Sequence, residues 1–244
     1  EALAWFVKAR QDKLIADYAL YWSAQTHRAM KRLPEALEEL RTIQRDYPAT
    51  AMREQLLDAL ANTATDLGKP QEALAALDAY AVTGSRSDLL LDRGRARRAA
   101  KQLAQAAADY QAVYYKFALS DEAPAAGAAL GQLQREMRSE SPRPSLDVVE
   151  KRAQAFYDAR KWHDARVEFE KVLLQAPRDL ADPVRQRAQL RIAQARIQLD
   201  GPASLLTSLK LSDAELDAER MASLGQFYRS RKHENEAQLL AVSN

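Results

Sequence analysis

Across 244 residues the chain sets 36 Lys and Arg against 34 Asp and Glu, a formal net charge of +2, with 47% hydrophobic residues, 7 Gly and no Cys. So much apolar material excludes wholesale disorder, and so even a charge balance excludes the concentrated basic surface of a nucleic-acid binder. The missing cysteines exclude disulfides, Cys-based zinc sites and thiol chemistry, and no apolar run reaches the ~18 residues of a membrane span.

Ala, Leu, Gln, Glu and Arg dominate, and these residues lose little rotamer freedom in a helix. β-branched residues are sparse and alternating strand patterns are scarce, so the fold class is all-α. In chain order, helices are expected at 1–12, 15–31, 34–46, 51–67, 70–81, 87–99, 102–117, 121–137, 145–159, 162–175, 182–199, 203–209, 213–230 and 233–242. The chain starts at Glu1 without Met, and a processed or trimmed N-terminus is expected.

The helices repeat. Lys31-Arg32-Leu33-Pro34-Glu35-Ala36-Leu37-Glu38-Glu39-Leu40, followed by Ile43, Tyr47 and Pro48, aligns without a gap on Lys101-Gln102-Leu103-Ala104-Gln105-Ala106-Ala107-Ala108-Asp109-Tyr110, followed by Val113 and Phe117. Gly68-Lys69-Pro70-Gln71-Glu72-Ala73, with Leu77 and Tyr80, is a copy between them. Lys161-Trp162-His163-Asp164-Ala165, with Phe169, Val172 and Pro177, is a later one, and Arg231 to Ala237, leading to Leu240, is the last. A period of about 34 residues is that of tetratricopeptide helix hairpins.

Each copy is preceded by a helix that places a large apolar residue and then a small one four later. The series are Leu20/Ala24/His27, Leu57/Ala61/Ala64, Leu90/Gly94/Arg97, Val149/Ala153/Phe156 and Met221/Gly225/Tyr228. Two antiparallel helices approach closely only where both carry small residues, so Ala36, Ala73, Ala106 and Ala165 are expected at buried helix–helix contacts. Each hairpin leaves apolar surface that its neighbour covers, which makes an α-α superhelix, a solenoid of tetratricopeptide-like pairs. The Pro-rich connector 139–145, Ser139-Glu140-Ser141-Pro142-Arg143-Pro144-Ser145, separates a first block, 1–138, from a second, 146–244. Asp200-Gly201-Pro202 marks a second irregular stretch. The chain ends without a polar capping helix and reads as part of a longer protein.

Catalytic chemistry is hard to find. There is no His-Glu-x-x-His, no phosphate-binding glycine loop and no Gly-x-Ser-x-Gly, so no catalytic residue, metal site or cofactor is assigned. His27 stands where the repeat wants a packing residue, and His163 and His233 fall in expected turns. The densest basic feature is Arg93-Gly94-Arg95-Ala96-Arg97-Arg98 with Lys101. Arg95 and Arg98 share one side of their helix. First helices line the concave face of such stacks, so these two are the candidate site for a partner's anionic group. The competing reading pairs them with Asp88 and Asp92. Asn62 holds a comparable position one repeat earlier, and with Arg95 it forms a candidate clamp for a peptide carboxylate. Tyr18, Tyr21 and Trp22, and Tyr110, Tyr114, Tyr115 and Phe117, are read as packing residues, with stacking on sugar rings as the alternative use.

Asp17-Tyr18-Ala19-Leu20-Tyr21-Trp22, leading into the first repeat, resembles the opening of the helical N-terminal region of bacterial soluble lytic murein transglycosylases. Val113-Tyr114-Tyr115-Lys116-Phe117-Ala118-Leu119-Ser120-Asp121-Glu122-Ala123 is similar to the segment that ends that region's third repeat, and Ala153 to Val172 and Ala218 to Tyr228 to its later pairs. The resemblance implies a periplasmic, non-catalytic scaffold that positions peptidoglycan or a protein partner for a lysozyme-like domain. In that family a Glu-Ser pair carries catalysis. Here Glu140-Ser141 lies in the connector, and the role is not carried over. The alternative is a general tetratricopeptide scaffold for protein–protein interaction, such as an assembly or secretion factor.

Overall fold

The computed structural model describes residues 1–78, 85–137, 143–199 and 201–242, with side chains as far as Arg231. Every regular element among them is helical. The chain divides into two compact units, Glu1–Pro142 and Arg143–Asn244. The first holds α1 (Ala2–Ala9), α2 (Ala16–Ala29), α3 (Leu33–Asp46), α4 (Arg53–Asp66), α5 (Pro70–Asp78), α6 (Ser87–Ala99), α7 (Leu103–Gln111) and α8 (Ala123–Met137). The second holds α9 (Leu146–Asp158), α10 (Trp162–Gln175), α11 (Pro183–Gln198), α12 (Ser204–Thr207) and α13 (Ala214–Val242).

Four hairpins, α2–α3, α4–α5, α6–α7 and α9–α10, share one turn. Lys31, Gly68, Lys101 and Arg160 each sit in the left-handed region, with φ of 60°, 71°, 62° and 56°. The residue after each donates its amide five positions back: Arg32 to His27, Lys69 to Ala64, Gln102 to Arg97 and Lys161 to Phe156, at 2.8–2.9 Å. This is a Schellman closure, which satisfies orphan carbonyls and reverses the chain within two residues. Only Gly68 is free of the Cβ penalty at that position.

The hairpins close where the small residues lie. Ala24, Ala36, Ala73, Ala106, Ala153 and Ala165 have no exposed surface. Gly94 makes a contact with no room for a side chain, because a Cβ there would come within 2.5 Å of Cε1 of Tyr110. Around α2–α5, Leu37, Leu40, Ile43, Leu60 and Leu77 fill the space between hairpins, and α4 packs along α6. α3, α5 and α11 begin with Pro at or next to their first residue, where the missing N–H costs nothing. Asp182 adds a side-chain cap to α11, accepting the Arg185 amide at 2.9 Å.

Two elements differ from the sequence expectation. The helix expected over 102–117 is α7 followed by a π-helical turn, Ala112–Lys116. In that turn Tyr114 rests on Gly127 of α8, where a Cβ would meet its ring at 2.6 Å. The last expected hairpin, 213–230 with 233–242, is instead one 29-residue helix, α13. Residues 226–242 contain neither Gly nor Pro, so nothing in the backbone stops the ladder. Met221 and Tyr228, expected to pack, are 53% and 55% exposed. Tyr80, connector residues 139–142, Asp200 and the side chains of His233, Ala237 and Leu240 lie outside the described residues.

Candidate functional site

The arginine-rich face of α6 is divided among several partners. Arg93 and Arg97 both donate to Asp109 of α7, at 2.7 and 2.8 Å, and that carboxylate is almost wholly buried. Arg98 donates to Gln132 of α8 at 2.8 Å and pairs with Glu136. Arg95 is different. Its side chain is half exposed, and Nη1 lies 3.3 Å from Oδ1 of Asp92 and 3.5 Å from Oδ1 of Asn62. The structure therefore brings Arg95 and Asn62 together and draws Arg98 away toward α8. Asp88 is held by Arg86 rather than by Arg95 or Arg98.

Arg95 and Asn62 stand on α6 and α4, neighbouring first helices. Beneath them lie two carboxyl groups, Asp58 and Asp92. Asn62 donates to Oδ1 and to the backbone carbonyl of Asp58, both at 3.1 Å. Asp92 is 4% exposed, and its Oδ2 has no hydrogen-bond partner. Burial, and secondarily the neighbouring Asp58 carboxyl, push the Asp92 acid well above the usual carboxylate range. Its proton can serve the pair, which leaves the half-exposed Arg95 guanidinium as the outward-facing group, with the Asn62 amide bracing it from α4. A guanidinium so placed suits a carboxylate or a main-chain carbonyl of a partner.

An acid that sequence reasoning missed recurs in three hairpins, three residues after the contact alanine, half-buried as Glu39 and buried as Asp109 and Glu168. Glu39 accepts from Ser23 at 2.8 Å, from His27 Nδ1 at 2.9 Å and from Arg10. Asp109 takes Arg93 and Arg97, and Glu168 takes Arg152 at 3.3 Å and Lys171 at 2.8 Å. The signal was present in the gapless repeat, where Glu39 aligns with Asp109. His27 is thus held by a structural carboxylate, and His163 is exposed at the start of α10. Tyr21 and Tyr110 are buried, whereas Tyr18 and Trp22 remain 42% and 54% exposed. No group of three or more potential metal ligands occurs among the described residues, and no helix there is long and apolar enough to cross a membrane.

Residues 18–50, comprising α2, α3 and their turn, match the tetratricopeptide repeat family. No curated protein matches the chain. A tetratricopeptide repeat protein from Parabacteroides merdae is similar at 15% identity, over 91% of this chain and 76% of that one, with a TM-score of 0.37.

Proposed function

We propose that this all-α array of tetratricopeptide-like hairpins is a scaffold that binds a protein partner through the neighbouring first helices α4 and α6. The observation that carries the reading is the meeting of Asn62 and Arg95, residues from successive hairpins, beside the buried Asp92 and the half-buried Asp58. The guanidinium is half exposed, and the hairpins below it are closed by small residues and Schellman turns. The chain acts by holding, not by catalysis.

A photo-crosslinking residue at position 95, with a control at Gln105 on the second helix α7, tests this in cells of the source organism. Discrete protein adducts from position 95 and none from 105 are expected. Equal labelling, or none, would overturn the assignment.

The finer reading, an accessory region of a periplasmic lytic transglycosylase that positions peptidoglycan, rests on the resemblance of Asp17 to Trp22 and Val113 to Ala123. Sedimentation of the chain with purified sacculi at low and moderate salt tests it, and a chain that stays in the supernatant at both removes it.

A further inference from the structure

We infer that Asp58 and Asp92 form a proton-operated gate on the Arg95 face: with one proton on the acid pair the guanidinium is released to take a partner's acidic group, and without it Asp92 holds the guanidinium back. The gate rests on the scaffold reading above and adds its regulation.

Two carboxyl groups here face one guanidinium. Asp92 is 4% exposed, its Oδ1 lies 3.3 Å from Nη1 of Arg95, and its Oδ2 has no hydrogen-bond partner. A buried carboxylate oxygen without a donor is costly, and a proton removes that cost. Asp58 is the neighbouring carboxyl on α4, fixed by the Asn62 amide at 3.1 Å. Burial first, and Asp58 next, push the Asp92 acid up to about 8. With one proton the three groups balance in charge. Without it a net negative charge sits at the binding face.

The other charged and titratable groups around α6 lie apart or stay neutral. Tyr110 of α7 faces the cluster, and burial pushes its phenol up to about 12. On α5, Glu72 is held by Arg41, and Asp78 is turned to Arg93 and Arg97 at 3.6 and 3.9 Å. Lys116, in the π-helical turn, is exposed.

Arg95 is the group through which the pair acts on a partner, because Arg93 and Arg97 bind Asp109 and Arg98 binds Gln132 and Glu136. Its contacts to Asp92 and Asn62, at 3.3 and 3.5 Å, are long for a guanidinium. A neutral Asp92 holds it weakly. An ionised Asp92 attracts it with a full charge from a site shielded from water, and repels an incoming carboxylate. Linkage sets the sign. A bound anion favours the protonated pair, so affinity is full below the raised value and falls as pH rises through it, with proton uptake on binding in that window.

NMR of the Asp92 carboxyl carbon and of the Arg95 side-chain nitrogen follows both groups in the full chain. The Arg95 signal is expected to move with the midpoint of Asp92, and Asp92→Asn, which keeps the shape of the acid, to abolish that step. The binding probe is acetyl-Gly-Glu-Gly-amide, which carries a single carboxylate, titrated against the Arg95 signal. Its affinity is expected to be about tenfold higher near pH ~6.5 than near pH ~9.5, and equal at both in Asp92→Asn. An Arg95 signal that ignores Asp92, equal affinity of the unaltered chain at both pH values, or a pH dependence that survives Asp92→Asn would each overturn the gate and leave binding by Arg95 standing. No binding at either pH, with Arg95 still following Asp92, would overturn the binding face and the gate with it.

Discussion

Arg93 on α6 and Asp109 on α7 are sixteen residues apart and meet at 2.7 Å, and the same separation joins Ser23 to Glu39 at 2.8 Å. Arg152 and Glu168 repeat it in the second unit, at 3.3 Å. The acid follows the contact alanine by three residues, so one hairpin geometry places a large apolar contact and a polar one side by side. In α4–α5 the equivalent position is Ala76, and the contact is wholly apolar. A hairpin can therefore close without the acid, and the polar pair sets register rather than supplying the bulk of the stability.

Asp109→Ala leaves two arginines facing a buried, emptied position. Urea unfolding is expected to show a loss on the order of 3 kcal/mol, since the mostly buried arginines then keep only longer contacts to Asp78, at 3.6 and 3.9 Å. The combined change Asp109→Leu with Arg93→Leu and Arg97→Leu should cost much less, because the one charge it leaves behind, Asp78, is half exposed. If the triple variant is as unstable as Asp109→Ala, the polar contact is a stabilising element and the register argument fails.

The shared turn gives a prediction of the opposite sign. Lys101 holds φ of 62° against the clash between its Cβ and backbone, and Gly68 occupies the same position in α4–α5 without one. Lys101→Gly should raise stability by up to about 1 kcal/mol, the left-handed penalty less the greater chain entropy of glycine. Gly68→Lys should lower it by a similar amount. Thermal melting of the two variants checks both directions.

Gly94 admits no side chain. Gly94→Ala drives a methyl group to 2.5 Å from the Tyr110 ring, in a hairpin whose opposing residues are fully buried. A loss of about 1–3 kcal/mol is expected, as for other overpacked cores. Tyr110→Leu in the same background should recover part of it by vacating the ring's space. Denaturation of the single and double variants measures the coupling.

Ala36, Ala73, Ala106 and Ala165 were legible because close approach of two helices is a local demand, met by a small residue at a fixed phase of the helix. The all-α class and most helix bounds followed from the same periodicity. The arginines were harder. Their partners Asp109, Gln132 and Glu136 lie 12 to 38 residues away on other helices, and a solvated basic face looks the same in sequence as one clamped by carboxylates. The last hairpin failed for another reason. The Met221/Gly225/Tyr228 spacing fits the repeat, but among the described residues Gly225 has only Arg229 near its missing Cβ, and α13 runs on. Spacing alone marks a face that can pack, and a partner helix is what makes it do so. A pocket of the second unit likewise joins α9, α11, α12 and α13, which no local pattern relates.

Asp92 gives the pH prediction. Its acid is raised above the ordinary 3.8 chiefly by burial, next by the Asp58 carboxyl, while Arg95 and Asn62 act in the other direction. The folded chain then holds a proton that the unfolded chain has released, so folding takes up protons over this window. Stability from this site is fully present below the ordinary carboxylate range. It declines as pH rises toward the raised value, because ionising Asp92 in the fold requires a charge with one oxygen unpartnered. Asp92→Asn keeps the shape of the protonated acid and cannot ionise. It should remove this decline, gaining about 1–2 kcal/mol over wild type near pH 8 and little near pH 4. Asp58→Asn separates the two causes. Because burial is the larger, most of the pH dependence should survive in that variant. Urea unfolding of the three proteins at several pH values measures this, and a slope that vanishes with Asp58→Asn would make the neighbouring carboxyl, not burial, the controlling influence.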